Sequence, residues 1–291
     1  MDNVIENYKK RLEDKKLSVN TINSYIYDIN CFISYLKNEY KELFYNVKKT
    51  HVLTFLVDLQ KNGKSSSTIS RNISSLKSFY EYLREEKLIS DNPIQNIHSP
   101  KHIRKLPLIL EEKEIMKLLS LPDINTFKGS RDSAILELLY SSGIKVSELI
   151  NIKIQDIVPY ASIIHINGKI QRIVPVGKLA LKAISNYLSD FRNNKSKSDC
   201  EFLFINNSGE ALTRQGVWKI LKFYENKLEL NKELSPQILR NSFAVHLLNH
   251  GADVLSVKEL MGHKNLTAMQ NYMQVTDLKS LQTYKNTHPR A

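Results

Sequence analysis

The stretch DNPIQNIHSPKHIRKLP, residues 91–107, separates two halves of the chain that are patterned differently. Pro93, Pro100 and Pro107 punctuate it, Lys101, Arg104 and Lys105 charge it, and its apolar residues keep no regular period. Proline fixes φ and removes an amide donor, so such a run predicts an extended connector instead of a regular element. The expected division is a first domain over 1–97, a linker over 98–106 and a second domain over 107–291.

Upstream of the connector the sequence predicts helices only. Ile22, Tyr25, Ile26, Ile29, Phe32, Ile33 and Leu36 recur at the helical period, as do Ile69, Ile73, Leu76, Phe79, Tyr80 and Leu83. Between them THVLTFLVDLQKNG, residues 50–63, opens on Thr50 as a capping residue and closes at Gly63. With an opening segment around Val4, Ile5 and Tyr8, these runs make a four-helix unit. Arg71, Lys77 and Arg84 in the last of them stand among serines and Thr68, a mixture suited to phosphate contacts but also to a plain solvated face.

Downstream, helices are expected near 111–120 and 130–142. SIIHING (162–168) and RIVPVG (172–177), both β-rich, follow across the turn KIQ. Beyond them come a helix over KLALKAISNYLSDF, a short apolar run EFLFIN, and helices around 214–227, 236–250, 254–261 and 265–273. The fold class is therefore mainly α with a small antiparallel β-sheet.

The chain carries a net charge of +12 with a pI near 9.4, and no long single-sign tail accounts for the excess. Polyanions, nucleic acid first among them, are the expected partners. Cys31 and Cys200 form no C-x-x-C pair, which argues against a disulfide framework and a thiolate zinc site. His246 and His250 in HLLNH have the i, i+4 spacing of zinc ligands. No Glu follows the first, so core and capping roles are expected and no metal is assigned. No signal peptide or membrane span is read in the sequence, and the expected location is cytoplasmic.

LSPQILRNSFAVHLLNHGAD, residues 234–253, predicts a helix capped by Ser235, started by Pro236 and stopped at Gly251. Ile238, Leu239, Ala244, Leu247 and Leu248 supply an apolar stripe, and Gln237 and Arg240 share a neighbouring face able to grip an anion. LMGHKNLTAMQNYMQV, residues 260–275, adds His263 and, nine residues on, Tyr272.

Together with Lys169 in INGKIQRIVPVG, the segment LLYSSGIKVSELINIKIQDI, the N-terminal LSVNTINSYIYDINCFISYL and STISRNISSLKSFYEYL, the linker and the closing HPRA, this order strongly resembles the tyrosine recombinase (phage integrase) family, and within it the Xer-type site-specific recombinases. The resemblance spans essentially the whole chain. It implies a two-domain, C-shaped DNA clamp made of a helical, SAM-like core-binding domain and a catalytic domain. It also implies cleavage and rejoining of duplex DNA through a 3′-phosphotyrosyl bond, in chromosome or plasmid dimer resolution or in integration of a mobile element.

By the same resemblance Tyr272 is the nucleophile, Arg240 and His263 bind the phosphate, and Lys169 is the acid for the leaving 5′-oxygen. Arg71, Lys77, Arg84, Lys101 and Arg104 are expected on the DNA. No cofactor is implied. The working assembly would be a tetramer on paired sites, with Leu278 and Leu281 of the tail anchoring in a neighbour, and a second recombinase is left open as a partner.

Two positions depart from the pattern. The family's G-L-R-x-S-E-L reads GIKVSEL here, which puts Lys145 where the first catalytic arginine stands. The family's H-x-L-R-H reads QILRN, with Gln237 and Asn241 in place of the two histidines. Lysine is a point charge where arginine is a fork, and glutamine donates a hydrogen bond but shuttles no proton. The hairpin from Lys169 to Arg172 is also shorter than the usual GKGxKxR. Three readings stay open: a working recombinase with an altered catalytic set, an impaired relative that binds or synapses DNA, and a basic protein that shares only the scaffold.

Overall fold

In the computed structural model, residues 2–40, 44–100, 106–168, 170–195, 200–228 and 232–276 are described. The chain forms two compact units, residues 1–103 and 104–291. The first holds helices α1 (Asp2–Asp14), α2 (Val19–Tyr40), α3 (Lys49–Lys61) and α4 (Ser66–Glu85). Its core includes apolar positions read from the helical period, among them Ile22, Ile29, Phe32, Leu36, Ile73, Leu76, Phe79 and Leu83. Helix α4 is capped by the Ser65 hydroxyl, which accepts from the Thr68 amide. The start of α3 differs from expectation: Lys48 is the N-cap, and Thr50 lies inside the helix with its carbonyl accepting from the Thr54 hydroxyl.

The connector also differs in its first half. Ile94 and Ile97 are buried in the helical core, and the Asn92 side chain turns the chain by accepting from the Ile94 amide. The two isoleucines contribute burial that a proline-rich reading hides, because they sit in turns and obey no period. Residues 101–105, with Lys101 and Arg104, lie outside the described residues.

The second unit contains α5 (Glu112–Ser120), α6 (Phe127–Ser142), the one-turn α7 (Val146–Leu149), α8 (Lys178–Asn186) continued by a π-helical turn over Tyr187–Arg192 into the short α9 (Asn193–Lys195), α10 (Arg214–Leu228), α11 (Pro236–Asn249) and α12 (Val254–Met261). Helical turns resume over 270–276. The π turn was not evident in the sequence. Buried Arg192 is its last residue and donates to the carbonyls of Cys200, Phe202 and Leu203, tying the helix end to the apolar EFLFIN run.

Strands β1 (Ile157–Val158), β2 (Ile163–Ile166) and β3 (Arg172–Pro175) form an antiparallel sheet in sequential order. Ile164 pairs with Val174, His165 with Ile173 and Ile166 with Arg172. Cross-strand partners share a face, so Arg172 lies on the buried face with Ile164 and Val174 while His165 and Ile173 face outward.

Helix α11 follows the cap signals read from its sequence. The Ser235 hydroxyl accepts from the Ile238 amide and Pro236 opens the helix. It is buried more completely than an amphipathic stripe requires: Arg240, Asn241, Ser242 and His246 are inside along with Ile238, Leu239 and Ala244. Residues 108–110 run along it, where the Leu110 amide donates to Ser242 Oγ and Asn241 Nδ2 donates to the Leu108 carbonyl. His246 meets the Tyr140 hydroxyl at 3.0 Å and His250 Nδ1 lies 2.8 Å from the His246 carbonyl, the core and capping roles expected of them.

Gly143 ends α6 in the left-handed region at φ +58, and a Cβ there would lie 2.2 Å from the Phe243 ring. Gly143→Ala combines the left-handed cost with overpacking and should destabilise the second unit by about 2–4 kcal/mol, a fall in Tm of ~5–15 °C. Thermal unfolding checks this, and a shift within 2 °C of zero would show that α6 and α11 are not packed this way.

Candidate active site

Helix α11 delivers Arg240 into the centre of the second unit, where it is 2% exposed. Its guanidinium donates to the carbonyls of Gly143, at the end of α6, and Met261, at the end of α12. Terminal carbonyls carry the negative end of a helix and lack intrahelical donors, so a guanidinium satisfies both needs. Burial lowers the Arg240 pKa to about 10, which leaves it charged at neutral pH.

His263 follows Gly262, which ends α12 at φ +63 and whose missing side chain leaves room for Arg172. Arg240 Nη2 lies 3.3 Å from His263 Nε2. Because arginine only donates, Nε2 is the acceptor and the ring proton sits on Nδ1. Burial, then the charges of Arg240, Lys145 and Arg172, bring the His263 pKa down to about 4. The ring is thus a neutral hydrogen-bond donor at physiological pH.

Lys145 caps α7, and its amide donates to Glu148 Oε2 at 2.8 Å. Glu148 also receives Arg172 through two parallel bonds of 2.8 and 2.9 Å, while Lys145 Nζ is 3.9 Å from it. Burial pushes the Glu148 carboxyl up, but Arg172, the Lys145 amide and the Lys145 charge hold it below its ordinary range. Burial lowers the Lys145 pKa, with Arg240 and Arg172 adding to the effect and Glu148 opposing it. Three cations, Lys145, Arg172 and Arg240, therefore share one carboxylate, and this excess prepares the site for an anion. Lys145, Glu148, Asn167, Gly168, Gly262 and His263 line one cleft of about 520 Å³.

Tyr272 is 5% exposed, with its ring 6.3 Å from the His263 ring. Its hydroxyl donates to Asn241 Oδ1 at 3.1 Å, and Gln237 Nε2 donates to the same oxygen at 2.7 Å. Burial raises the phenol pKa, against lowering influences from Arg240 and Gln237.

Five of the six candidate catalytic residues, Lys145, Gln237, Arg240, His263 and Tyr272, thus gather in one region. Lys169 and the anchors Leu278 and Leu281 lie outside the described residues. The first unit's candidates fare differently. Arg71 Nη1 binds buried Asp28 at 2.7 Å and the Ser24 carbonyl, so its first task is to compensate a buried carboxylate. Arg84 pairs with Glu81 at 2.5 Å at the surface, and Lys77 is half-buried.

Glu148 and Arg172 were not singled out from the sequence. Their signals were a Glu three residues after the N-cap Lys145, and an arginine on the inward face of RIVPVG. Among the described residues, no group of His, Cys, Asp and Glu could hold a metal ion, and no helix is long and apolar enough to cross a membrane.

The chain is similar to known proteins along its whole length. The model of the phage integrase family matches residues 109–279, and that of the phage integrase N-terminal SAM-like domain matches residues 5–87. The chain is 38% identical over 298 residues to the tyrosine recombinase XerD of Listeria monocytogenes serovar 1/2a, covering 100% of both chains. It is 39% identical to the tyrosine recombinase XerC of Oceanobacillus iheyensis, covering 96% of this chain and 93% of that one. Its fold is similar to that of the XerH site-specific recombinase bound to a palindromic difH substrate in a post-cleavage complex. That likeness has a TM-score of 0.78 at 21% identity, over 96% of this chain and 85% of the other.

The depressed His263 pKa has a consequence for stability. The folded protein binds that proton less readily than the unfolded chain, whose histidines titrate near 6.5, so stability is lost as pH falls from about 6.5 towards 4. The loss between about pH 7 and 5 should be smaller in His263→Gln by on the order of 1 kcal/mol, after discounting for partial solvent contact. Urea unfolding at the two pH values checks it, and equal losses in both proteins would contradict the assigned environment.

Proposed function

Since the chain belongs to the phage integrase family of tyrosine recombinases and is XerD-like over its length, we propose that it cleaves and rejoins duplex DNA at a recombination site through a 3′-phosphotyrosyl bond on Tyr272. The observation that carries this reading is the gathering of buried Arg240 and Tyr272 around neutral His263, which with Lys145 lines one cation-rich cleft.

In this reaction Tyr272 Oη attacks the scissile phosphorus. A Tyr–O–P bond forms, the bond from phosphorus to the 5′-oxygen breaks, the phenol's proton passes to solvent water, and the departing 5′-oxygen takes one from Lys169. Arg240 and Lys145 oppose the charge that builds on the nonbridging oxygens, and His263 donates to one of them. Attack by the 5′-hydroxyl of a partner strand on the phosphotyrosine reverses the chemistry and completes the exchange.

The wider reading rests on the family. Residues 1–97 and 107–291, on either side of the linker 98–106, would each contact duplex DNA, with four protomers on two paired sites. Lys77, Arg84, Lys101 and Arg104 would meet phosphates, and the cytoplasm is where such DNA is found. Dimer resolution and mobile-element integration use the same chemistry, and a second recombinase could fill alternate positions of the tetramer.

The point charge of Lys145 and the buried, hydrogen-bonded phenol favour a second reading, in which the protein binds and synapses DNA but cleaves slowly. Nicked suicide substrates built on a sequence the protein selects from random duplexes separate the two. The wild type should accumulate an SDS-resistant adduct, and Tyr272→Phe should bind equally and form none. An adduct that survives the substitution would move the nucleophile elsewhere, and no adduct from the wild type would favour the second reading.

Lys145→Arg should raise the cleavage rate about tenfold with little change in binding, because the fork's advantage appears when charge spreads over two oxygens in the transition state. Quench-flow cleavage rates test this. A slower Lys145→Arg would mean that the site has been re-optimised around lysine.

A further inference from the structure

Asn241 holds a place between the nucleophile and the chain entering the catalytic unit. It is 6% exposed, and its side chain makes three hydrogen bonds. Nδ2 donates to the Leu108 carbonyl at 3.1 Å, while Oδ1 accepts both the Tyr272 hydroxyl at 3.1 Å and Gln237 Nε2 at 2.7 Å. The carbonyl fixes the orientation of the amide, since the flipped form would bring two acceptors together at Leu108 and aim a donor at Gln237 Nε2, itself a donor. Leu108 is itself held, because two residues on the Leu110 amide donates to Ser242 Oγ of the same helix.

We propose that Asn241 is the positioning residue for Tyr272: oriented by the Leu108 carbonyl, its oxygen fixes where the phenol sits for attack on phosphorus. The inference rests on the reading of Tyr272 as nucleophile and deepens it. Asn241 lies one residue beyond Arg240 on α11, so one rigid helix sets both the phosphate ligand and the attacking oxygen. Gln237, one turn earlier, completes the arrangement by sharing the acceptor. A neutral oxygen accepting from the phenol also favours its protonated form, so the nucleophile rests un-ionised between reactions.

The test uses full-length protein and two suicide duplexes, one with an ordinary scissile phosphate and one with sulfur replacing the 5′-bridging oxygen. The thiolate leaves without a proton, so the second substrate reports attack by the tyrosine and is indifferent to the acid. Asn241→Leu should bind both duplexes as the wild type does, yet form adduct ten- to a hundredfold more slowly on both. Lys169→Ala, as reference, should be slow on the phosphate and recover on the sulfur substrate.

Recovery of Asn241→Leu on the sulfur substrate would put Asn241 at the leaving group, and a wild-type rate would make it structural only. Either result overturns the proposal. The near-isosteric Asn241→Asp covers the case in which the leucine variant fails to fold. A carboxylate beside the phenol holds its proton, so the rise of adduct rate with pH should move up by about one unit, and an unmoved profile would overturn the proposal. If the wild type forms no adduct on either duplex, the function itself is wrong and this role falls with it.

Discussion

The hydrogen bonds from Arg240 to the carbonyls of Gly143 and Met261 hold the catalytic unit's geometry in place. They join the ends of α6 and α12 to the middle of α11, so that α6, whose Gly143 stands 97 residues before Arg240, meets two helices that follow one another in sequence. Both helices finish on a left-handed glycine, Gly143 and Gly262, which turns the chain away and leaves terminal carbonyls to an outside donor. A buried guanidinium stripped of such partners typically costs 3–5 kcal/mol. Charge and carbonyls therefore require each other, and the residue that would bind a phosphate is also the one that holds its binding site together.

The same economy extends to the neighbours. Arg172 donates to the Leu260 carbonyl, one residue before Met261, and clamps Glu148 with its other nitrogens. Glu148 in turn caps α7 through the Lys145 amide and so fixes where the lysine starts. The cluster keeps a surplus of positive charge that an incoming anion relieves, and that surplus adds to burial in keeping His263 neutral. A neutral imidazole can donate to a phosphate oxygen without adding a further charge to a crowded site.

How much of this was legible in the sequence varies by kind of signal. The helices of the first unit follow from their apolar period because each buries one continuous face. Helix α11 follows from Ser235 and Pro236, whose preferences are local. Ile94 and Ile97 escaped because turn residues can be buried without periodicity, and the π turn at Tyr187–Arg192 escaped because the carbonyls that Arg192 reaches from its end lie in another segment. At the site, the order of Arg240, His263 and Tyr272 carried the family resemblance. What neither order nor spacing contained was the burial of Arg240 between two helix ends, the Glu148–Arg172 clamp and the shared oxygen of Asn241, since each depends on side chains brought together by the packed fold. Arg71 shows the converse: a basic residue on a serine-rich helix reads as a phosphate contact until Asp28 is seen beside it.

The most direct measurement of the central claim is the covalent linkage itself. Wild-type protein trapped on a suicide duplex, digested and sequenced by mass spectrometry, should yield one modified peptide, with the nucleotide joined through its 3′-phosphate to Tyr272 and the released strand carrying a free 5′-hydroxyl. A nucleotide on any other residue, a 5′-phosphate linkage, or no modified peptide from protein that binds the duplex would contradict the account.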